Sequence, residues 1–235
     1  MAKITANNMG LTIPTFGDGN KNIRANLLQK MNVGSHIDSN GVMIFQNVNF
    51  QINEGDRVAI FGSNGSGKTS LLRLISKIYT PTSGCLEVKG NVRSLISLGA
   101  GIDPNLTGYE NIKILCLMTL NGGAVNDDLF EKVAEFSELG DYLNMPVRTY
   151  SSGMMLRLIS GTIFTYDAEV FVVDEYFAVG DQSFANKVKK HMSSMVEKSK
   201  IFVLATHSRE LIRDYCNRIF VVDEGNIDEK DIKRF

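Results

Sequence analysis

The 235-residue chain has no tryptophan, only four prolines and three cysteines, and no excess of either charge. The cysteines, Cys85, Cys116 and Cys216, are spaced too widely for a metal-binding motif, and their odd number does not suit a disulfide framework, so we expect a reducing compartment. There are 25 Lys and Arg against 26 Asp and Glu, which gives a formal net charge of −1. This balance, without a block of basic residues, argues against a nucleic-acid-binding protein.

Long apolar segments are also missing from the sequence. No stretch approaches the roughly 20 apolar residues that a membrane-spanning helix needs, and the first residues lack the apolar centre of a secretory signal. If the chain serves a membrane, we therefore expect it to do so as a peripheral subunit. With 43% hydrophobic and 22% charged residues, the composition is that of a folded globular protein rather than a disordered one.

The order of apolar patterns indicates the architecture. Residues 1–41 are polar and rich in asparagine, and we interpret them as an N-terminal extension that precedes an ordered domain over 42–235. Residues from about 99 to 165 show helical patterns only, and Thr107 with Glu110 fits a capping box at the start of one helix. Buried strands are predicted at 57–61, 170–173, 201–205 and 219–222, with helical patterns between them. The sequence thus predicts an α/β fold with a mainly parallel core sheet, an N-terminal antiparallel β part and an inserted helical subdomain.

A glycine-rich segment carries the strongest chemical signal. Residues 62–69 fit the pattern G-x-x-x-x-G-K-[ST], and they lie between an apolar strand and a helical pattern, as a phosphate-binding loop does. Backbone N–H groups of such a loop surround phosphate oxygens, Lys68 can reach the β- and γ-phosphates, and the Thr69 hydroxyl can bind Mg²⁺. The predicted nucleotide-binding residues are Gly62, Ser63, Asn64, Gly65, Ser66, Gly67, Lys68, Thr69 and Ser70.

Three further polar residues follow predicted strands. Asp174 and Glu175 come directly after the strand at 170–173, and ligands of open α/β folds bind at that edge of the sheet. We expect Asp174 to bind the Mg²⁺ and Glu175 to act as the general base on the attacking water. His207 follows the next strand and could hydrogen-bond the γ-phosphate, although a purely structural histidine is the alternative.

The order of five segments carries a family resemblance. The glycine-rich loop, residues 150–154, 170–175 and 177–181, and His207 resemble, in order and rough spacing, the nucleotide-binding subunits of ABC transporters. Residues 150–154 alone would indicate only a helix N-cap. The segments 98–111, 149–154 and 178–181, together with 11–28, resemble more narrowly the ATPase subunits of bacterial O-antigen, capsule and teichoic-acid exporters.

The resemblance implies an ATPase that uses ATP and Mg²⁺ to power an integral membrane permease exporting a polysaccharide. It also implies a homodimer with two ATP molecules between the subunits, in which Ser151, Ser152, Gly153 and Asp181 contact the ATP bound by the partner. The helical block at 99–145 would receive the permease. The expected location is the cytoplasmic face of the inner membrane, as a peripheral subunit, with no nucleic-acid partner.

Three departures from the family pattern stand out. Ser152 and Met154 replace a glycine and a glutamine of the family's Leu-Ser-Gly-Gly-Gln core. The Q-loop glutamine of the family would fall near Leu98, but no glutamine lies between Gln51 and Gln182, and the sequence leaves open what replaces it. An aromatic residue that would stack on adenine has no clear match, because Ile13 stands near that position and Phe16 is the nearest ring.

Three alternative functions share some of these motifs. An ATPase subunit of another ABC transporter type fits the same motifs. A soluble ABC ATPase usually has two cassettes or a long coiled-coil insertion, and the sequence shows neither. A P-loop GTPase or kinase would leave residues 150–154 unexplained, and the nearest guanine-type run, 186–189, lacks the required aspartate.

Overall fold

A computed structural model describes residues 1–14, 37–38, 41–96, 101–119, 127–164, 167–174 and 182–232. These residues form two compact units, each built from separate stretches of the chain. The first unit contains the described parts of 1–92, 169–174 and 200–232, and the second contains those of 93–168 and 182–199. Within the described residues, no helix combines the length and the apolarity needed to cross a bilayer.

An antiparallel sheet forms one part of the first unit. Its strands lie in the order β2-β3-β1-β5 and all pair antiparallel. The long strand β1 pairs with β3 on one side and with β5 on the other, so it is interior to this sheet. The four strands are β1 (Lys3–Ile13), β2 (Ile37–Asp38), β3 (Gly41–Asn53) and β5 (Ser83–Lys89).

Strand β1 lies before residue 42, where the sequence predicts the start of the folded domain. Ile4, Ala6 and Met9 are buried, which makes residues 3–13 part of the folded core. The alternation of buried side chains is interrupted at Asn8, which has a left-handed φ of 46°, and the register to β3 shifts between Ala6 and Met9. This irregularity hides the period-2 pattern that identifies a strand in a sequence.

A second, mainly parallel sheet forms the centre of the first unit. Neighbouring strands lie in the order β10-β9-β4-β8-β7, and only the β9–β10 pair is antiparallel. Strands β4, β7 and β8 are apolar and almost wholly buried, as expected for strands covered on both faces. The strands are β4 (Arg57–Phe61), β7 (Val170–Val173), β8 (Ile201–Ala205), β9 (Arg218–Asp223) and β10 (Asn226–Lys230). The predicted parallel core sheet is confirmed.

Among the described residues, two helices belong to the first unit. Helix α1 (Lys68–Ile75) begins directly after the glycine-rich loop and packs on β7 and β8, with Leu71, Leu72, Leu74 and Ile75 buried. Helix α6 (Arg209–Tyr215) begins after Ser208, whose hydroxyl accepts a hydrogen bond from the Leu211 N–H at 3.4 Å. The loop that precedes α1 is therefore fixed between a buried strand and a helix with a buried face.

The second unit is mostly helical. Thr107 and Glu110 form the predicted capping box at the start of its first helix, with the Thr107 N–H donating to Glu110 at 2.8 Å and the Glu110 N–H donating to Thr107 at 3.2 Å. A core that includes Ile112, Val133 and Leu158 joins three of the helices. The helices are α2 (Gly108–Thr119), α3 (Asp127–Ser137), α4 (Ser152–Phe164) and α5 (Gln182–Lys198), with 3₁₀ turns at Gly140–Asn144 and Val147–Thr149. Strand β6 (Val92–Leu95) leads from the first unit into the second.

The buried position of β1 yields a stability prediction. Ile4 is fully buried opposite Ile52 of β3 and Val88 of β5. The change Ile4→Ala should lower the free energy of unfolding by about 2–5 kcal/mol, because it removes buried methyl groups and leaves a cavity. The urea midpoint, followed by circular dichroism with an unchanged m-value, measures this loss. Ile78→Ala is the control, since that side chain is 57% exposed. Equal midpoints for Ile4→Ala and the parent would contradict a core role for β1.

Candidate active site

The glycine-rich loop has the backbone conformation of an anion-binding turn. Gly65 and Gly67 have φ angles of 82° and 108°, in the left-handed region that other residues rarely adopt. Gly67 is the N-cap of α1 and has no side chain to accept hydrogen bonds from the N–H groups of the first turn. A Cβ at Gly67 would lie 3.0 Å from both Ile44 and Phe45. The loop therefore leaves the positive end of α1 for an anion.

Two polar side chains of the loop fit a bound phosphate chain. The Lys68 ammonium donates to the carbonyl oxygens of Gly62 and Ser63, both at 2.8 Å, so its charge lies directly against the loop. The Ser66 hydroxyl is buried and has no hydrogen-bond partner among the described residues. A buried hydroxyl without a partner costs free energy, and a phosphate oxygen would supply an acceptor. These residues fit the phosphates of a nucleotide.

The loop and the end of β7 are joined by one hydrogen bond. The Thr69 hydroxyl in the first turn of α1 donates to Asp174 Oδ2 at 2.8 Å. A hydroxyl beside a carboxylate is a donor set that suits Mg²⁺, which usually binds one or two carboxylates and takes its other ligands from water and substrate phosphates. The described residues contain no cluster of three or more His, Cys, Asp or Glu that could hold a metal. Thr69 and Asp174 therefore suit a magnesium ion that phosphates help to bind.

The end of β8 lies beside the end of the loop strand. The Thr206 N–H donates to the Ile60 carbonyl at 3.2 Å, which extends the pairing of β8 with β4 by one residue. Thr206 is fully buried, and its hydroxyl accepts a hydrogen bond from the Ser208 N–H at 3.0 Å. His207, between them, has an exposed side chain. Sequence patterns identified His207 but not Thr206, whose backbone fixes the histidine at this edge of the sheet.

In the second unit, the segment of small residues opens helix α4. The Ser151 hydroxyl accepts a hydrogen bond from the Met154 N–H at 3.2 Å and so caps the helix, while Ser152 and Gly153 form its first turn. Tyr150 anchors this segment, since its hydroxyl donates to the Tyr142 carbonyl at 2.7 Å. Partial burial raises the pKa of the Tyr150 hydroxyl further above neutral pH.

An asparagine that sequence reasoning missed organises the loop before α2. The Asn111 side chain is fully buried. Its oxygen accepts from the Asp103 N–H at 2.8 Å, and its amide nitrogen donates to the carbonyls of Asp103, Leu106 and Thr107 at 2.9, 3.3 and 3.0 Å. No local pattern singles out Asn111, since the neighbouring Glu110 and Lys113 of the same helix are polar as well. This amide fixes the loop that follows Leu98 in the sequence.

Several predicted residues lie outside the described part of the chain. These are the candidate general base Glu175, the candidate interface residue Asp181, the Q-loop position Leu98 and the ring of Phe16. Ile13 is described, at the end of β1 opposite Val42. The structure thus brings together the glycine-rich loop, Asp174 and the strand end before His207, and the roles of the others stay predictions.

Comparison of the sequence with known proteins identifies a family and several relatives. A family model described as ABC transporter matches residues 45–178, more than half of the chain. The O-antigen export system ATP-binding protein RfbE of Yersinia enterocolitica is 38% identical, over 99% of both chains. The teichoic acids export ATP-binding protein TagH of Enterococcus faecalis is 39% identical, over 77% of this chain and 40% of TagH. The chain thus spans nearly all of RfbE but less than half of TagH.

A solved structure supports the same fold. The ATP-binding cassette MJ0796, in a dimeric post-hydrolysis state bound to ADP and Pi, superposes with a TM-score of 0.72. The superposition covers 99% of this chain and 100% of that chain, at 19% sequence identity, so it bears on the fold alone. The predicted fold class, an ABC ATPase domain with a mainly parallel core sheet, an antiparallel β part and helices, is confirmed.

The position of the Lys68 ammonium generates a binding prediction. Lys68→Ala should weaken ATP binding roughly 10- to 150-fold, the equivalent of the contribution of about 1.5–3 kcal/mol from a hydrogen bond to a charged group. A titration with ATP and Mg²⁺, followed by calorimetry, measures the affinity. The exposed Lys89 of β5 provides the control, and Lys89→Ala should bind ATP like the parent. Unchanged affinity in Lys68→Ala would remove the loop from the nucleotide site.

Proposed function

The chain belongs to the ABC transporter family of ATP-binding ATPases, and we propose that it powers a membrane permease that exports a polysaccharide from the cytoplasm. The observation that carries the proposal is the match to an O-antigen export ATP-binding protein at 38% identity over 99% of both chains. A teichoic acids export protein at 39% identity supports the same class of cargo, since both names refer to cell-surface glycan polymers. ATP hydrolysis would supply the energy for moving the polymer.

Each residue of the nucleotide site would have its own role toward ATP or Mg²⁺. The N–H groups of residues 62–69 and the Lys68 ammonium would hold the phosphates of ATP, since both lie at the N-terminus of α1. Thr69 and Asp174 would hold Mg²⁺, which neutralises phosphate charge when it is bound. His207 would hydrogen-bond the γ-phosphate from the end of β8. Glu175, the next residue after Asp174 in the sequence, would take the proton of the attacking water.

The other half of each site would come from a second copy of the chain. Ser151, Ser152 and Gly153 open α4 with backbone N–H groups and hydroxyls, which suit the γ-phosphate bound by the partner. Asp181 would contact the same interface. The dimeric state of the solved ATP-binding cassette supports this arrangement. Binding of ATP between two copies would favour the closed dimer, and hydrolysis would release it.

The permease would bind the helical block at 99–145. Four large apolar side chains of this block are 42–56% exposed, namely Tyr109, Leu117, Tyr142 and Met145. Exposed apolar side chains on one region of a protein suit a protein partner. Binding there would place the chain on the cytoplasmic face of the inner membrane as a peripheral subunit.

The link between hydrolysis and export is tested through Glu175. Glu175→Gln keeps the size of the side chain but removes its basicity, so hydrolysis should fall at least about 100-fold while ATP affinity stays unchanged. In host cells that carry this variant as their single copy, surface polysaccharide should disappear and polymer should accumulate inside. Phosphate release by the purified chain and staining of intact cells for surface glycan give the two measurements.

A matched control is Glu131→Gln on the exposed surface of α3, which should leave both hydrolysis and surface glycan as in the parent. Normal turnover in Glu175→Gln would assign the general base to another residue. Lost turnover with intact surface polysaccharide would instead show that the ATPase energises a different cargo, as in other ABC transporter types.

A further inference from the structure

The C-terminal end of α3 carries a carboxylate shared by two other helices. Glu138 Oε2 accepts from Arg157 Nη1 of α4 at 2.8 Å, and Glu138 Oε1 accepts from Lys187 Nζ of α5 at 2.6 Å. Hydrogen bonds from Lys187 and, to a smaller extent, from Arg157 lower the pKa of the Glu138 carboxyl. One side chain thus joins three helices of the second unit.

Each cation also makes contacts that an ordinary surface ion pair lacks. Lys187 Nζ donates to the Phe136 carbonyl at 3.0 Å and lies 4.7 Å from the centroid of the Phe136 ring. The Arg157 guanidinium donates to the Ser137 carbonyl at 3.4 Å and lies 4.3 Å from the centroid of the Phe184 ring. Both cations therefore meet the negative end of the α3 dipole and an aromatic face. Isolated exposed ion pairs contribute little, whereas a network with fixed geometry contributes more.

Aromatic packing beneath the charges fixes the same three helices. The Phe136 ring of α3 lies 5.7 Å from Phe164 of α4, and 6.0 and 4.8 Å from Phe184 and His191 of α5, as measured between ring centroids. These rings leave little freedom for α4 to move against α5 while Glu138 holds both cations. We call this set, residues 136–138 with Arg157 and Lys187, the α3 junction.

The two helices that Glu138 joins to α3 are α4 and α5. Both begin at or beside residues that are predicted to contact the ATP bound by a partner. Helix α4 begins at Ser152, five residues before Arg157, and α5 begins at Gln182, the residue after Asp181. We propose that Glu138 is a positioning residue, which fixes α4 against α5 so that the start of α4 is correctly aligned when two copies close on ATP. This inference rests on the proposed function, because it requires the ATP-bound dimer.

The test uses the full chain carrying Glu175→Gln, in which ATP is not turned over. Sedimentation with ATP and Mg²⁺ measures the dimer dissociation constant, and a titration at concentrations far below that constant measures ATP affinity of the monomer. Adding Glu138→Gln should weaken the dimer at least about 10-fold, because the amide is uncharged and can no longer accept from both cations. ATP affinity of the monomer should change by less than about twofold, because the α3 junction belongs to the second unit and the phosphate loop to the first.

Matched variants separate positioning from general stability. Asp128→Asn removes an exposed ion pair to Lys132 on the same helix, 2.6 Å long, and should dimerise like the Glu175→Gln parent. Lys187→Arg keeps the positive charge and its donors, so it should also behave like the parent. Lys187→Met should weaken the dimer as Glu138→Gln does, and it carries the test if Glu138→Gln does not fold.

The outcomes distinguish two failures. If the Glu175→Gln parent stays monomeric with ATP, the proposed dimer is wrong, and the positioning role is wrong with it. If the parent dimerises and both Glu138→Gln and Lys187→Met dimerise equally well, the proposed dimer stands and the positioning role is overturned. A fall in monomer ATP affinity that matches the fall in dimerisation would also overturn it.

Discussion

The parallel pairing of three buried strands is the constraint on which the site depends. Ile60 of β4 lies opposite Ala205 of β8, and Val173 of β7 lies opposite Leu204, so the three strands end at one edge of the sheet. All four side chains are fully buried. A slip of one residue would move each side chain to the opposite face of the sheet, so the packing on both covered faces holds the strand ends in register. One of these strand ends precedes the glycine-rich loop, another precedes Asp174, and the third lies two residues before His207.

In addition to the strand register, polar contacts position the residues of the site. The Thr69 hydroxyl joins the start of α1 to Asp174 at the end of β7, and the Lys68 ammonium folds back on the carbonyls of its own loop. Both contacts bring the groups that we propose for Mg²⁺ and phosphate binding to the same edge. In the second unit, Ser151 caps α4 and the carboxylate of Glu138 ties α4 to α5. Each unit thus presents the start of a helix at which we propose that phosphate binds.

Patterns that act over a few residues made the core of this site predictable. The glycine-rich loop, the strand before Asp174 and the capping box at Thr107 each depend on neighbours within the same segment, and the structure has all three. Strand β1 was not predictable, because the bulge at Asn8 breaks its alternation. The Glu138 contact was also beyond local patterns, since its partner Lys187 is 49 residues away in the sequence. The roles of Glu175, Asp181, Leu98 and Phe16 remain predictions from sequence.

The central claim is that one chain carries two different halves of an ATP site and needs a second copy to complete it. The most direct measurement is ATP turnover per chain as a function of chain concentration, across the range in which sedimentation shows the passage from monomer to dimer. Turnover per chain should be near zero where the chain is monomeric and should rise to a plateau as dimers form. The same turnover per chain in the monomeric range as at the plateau would contradict the account.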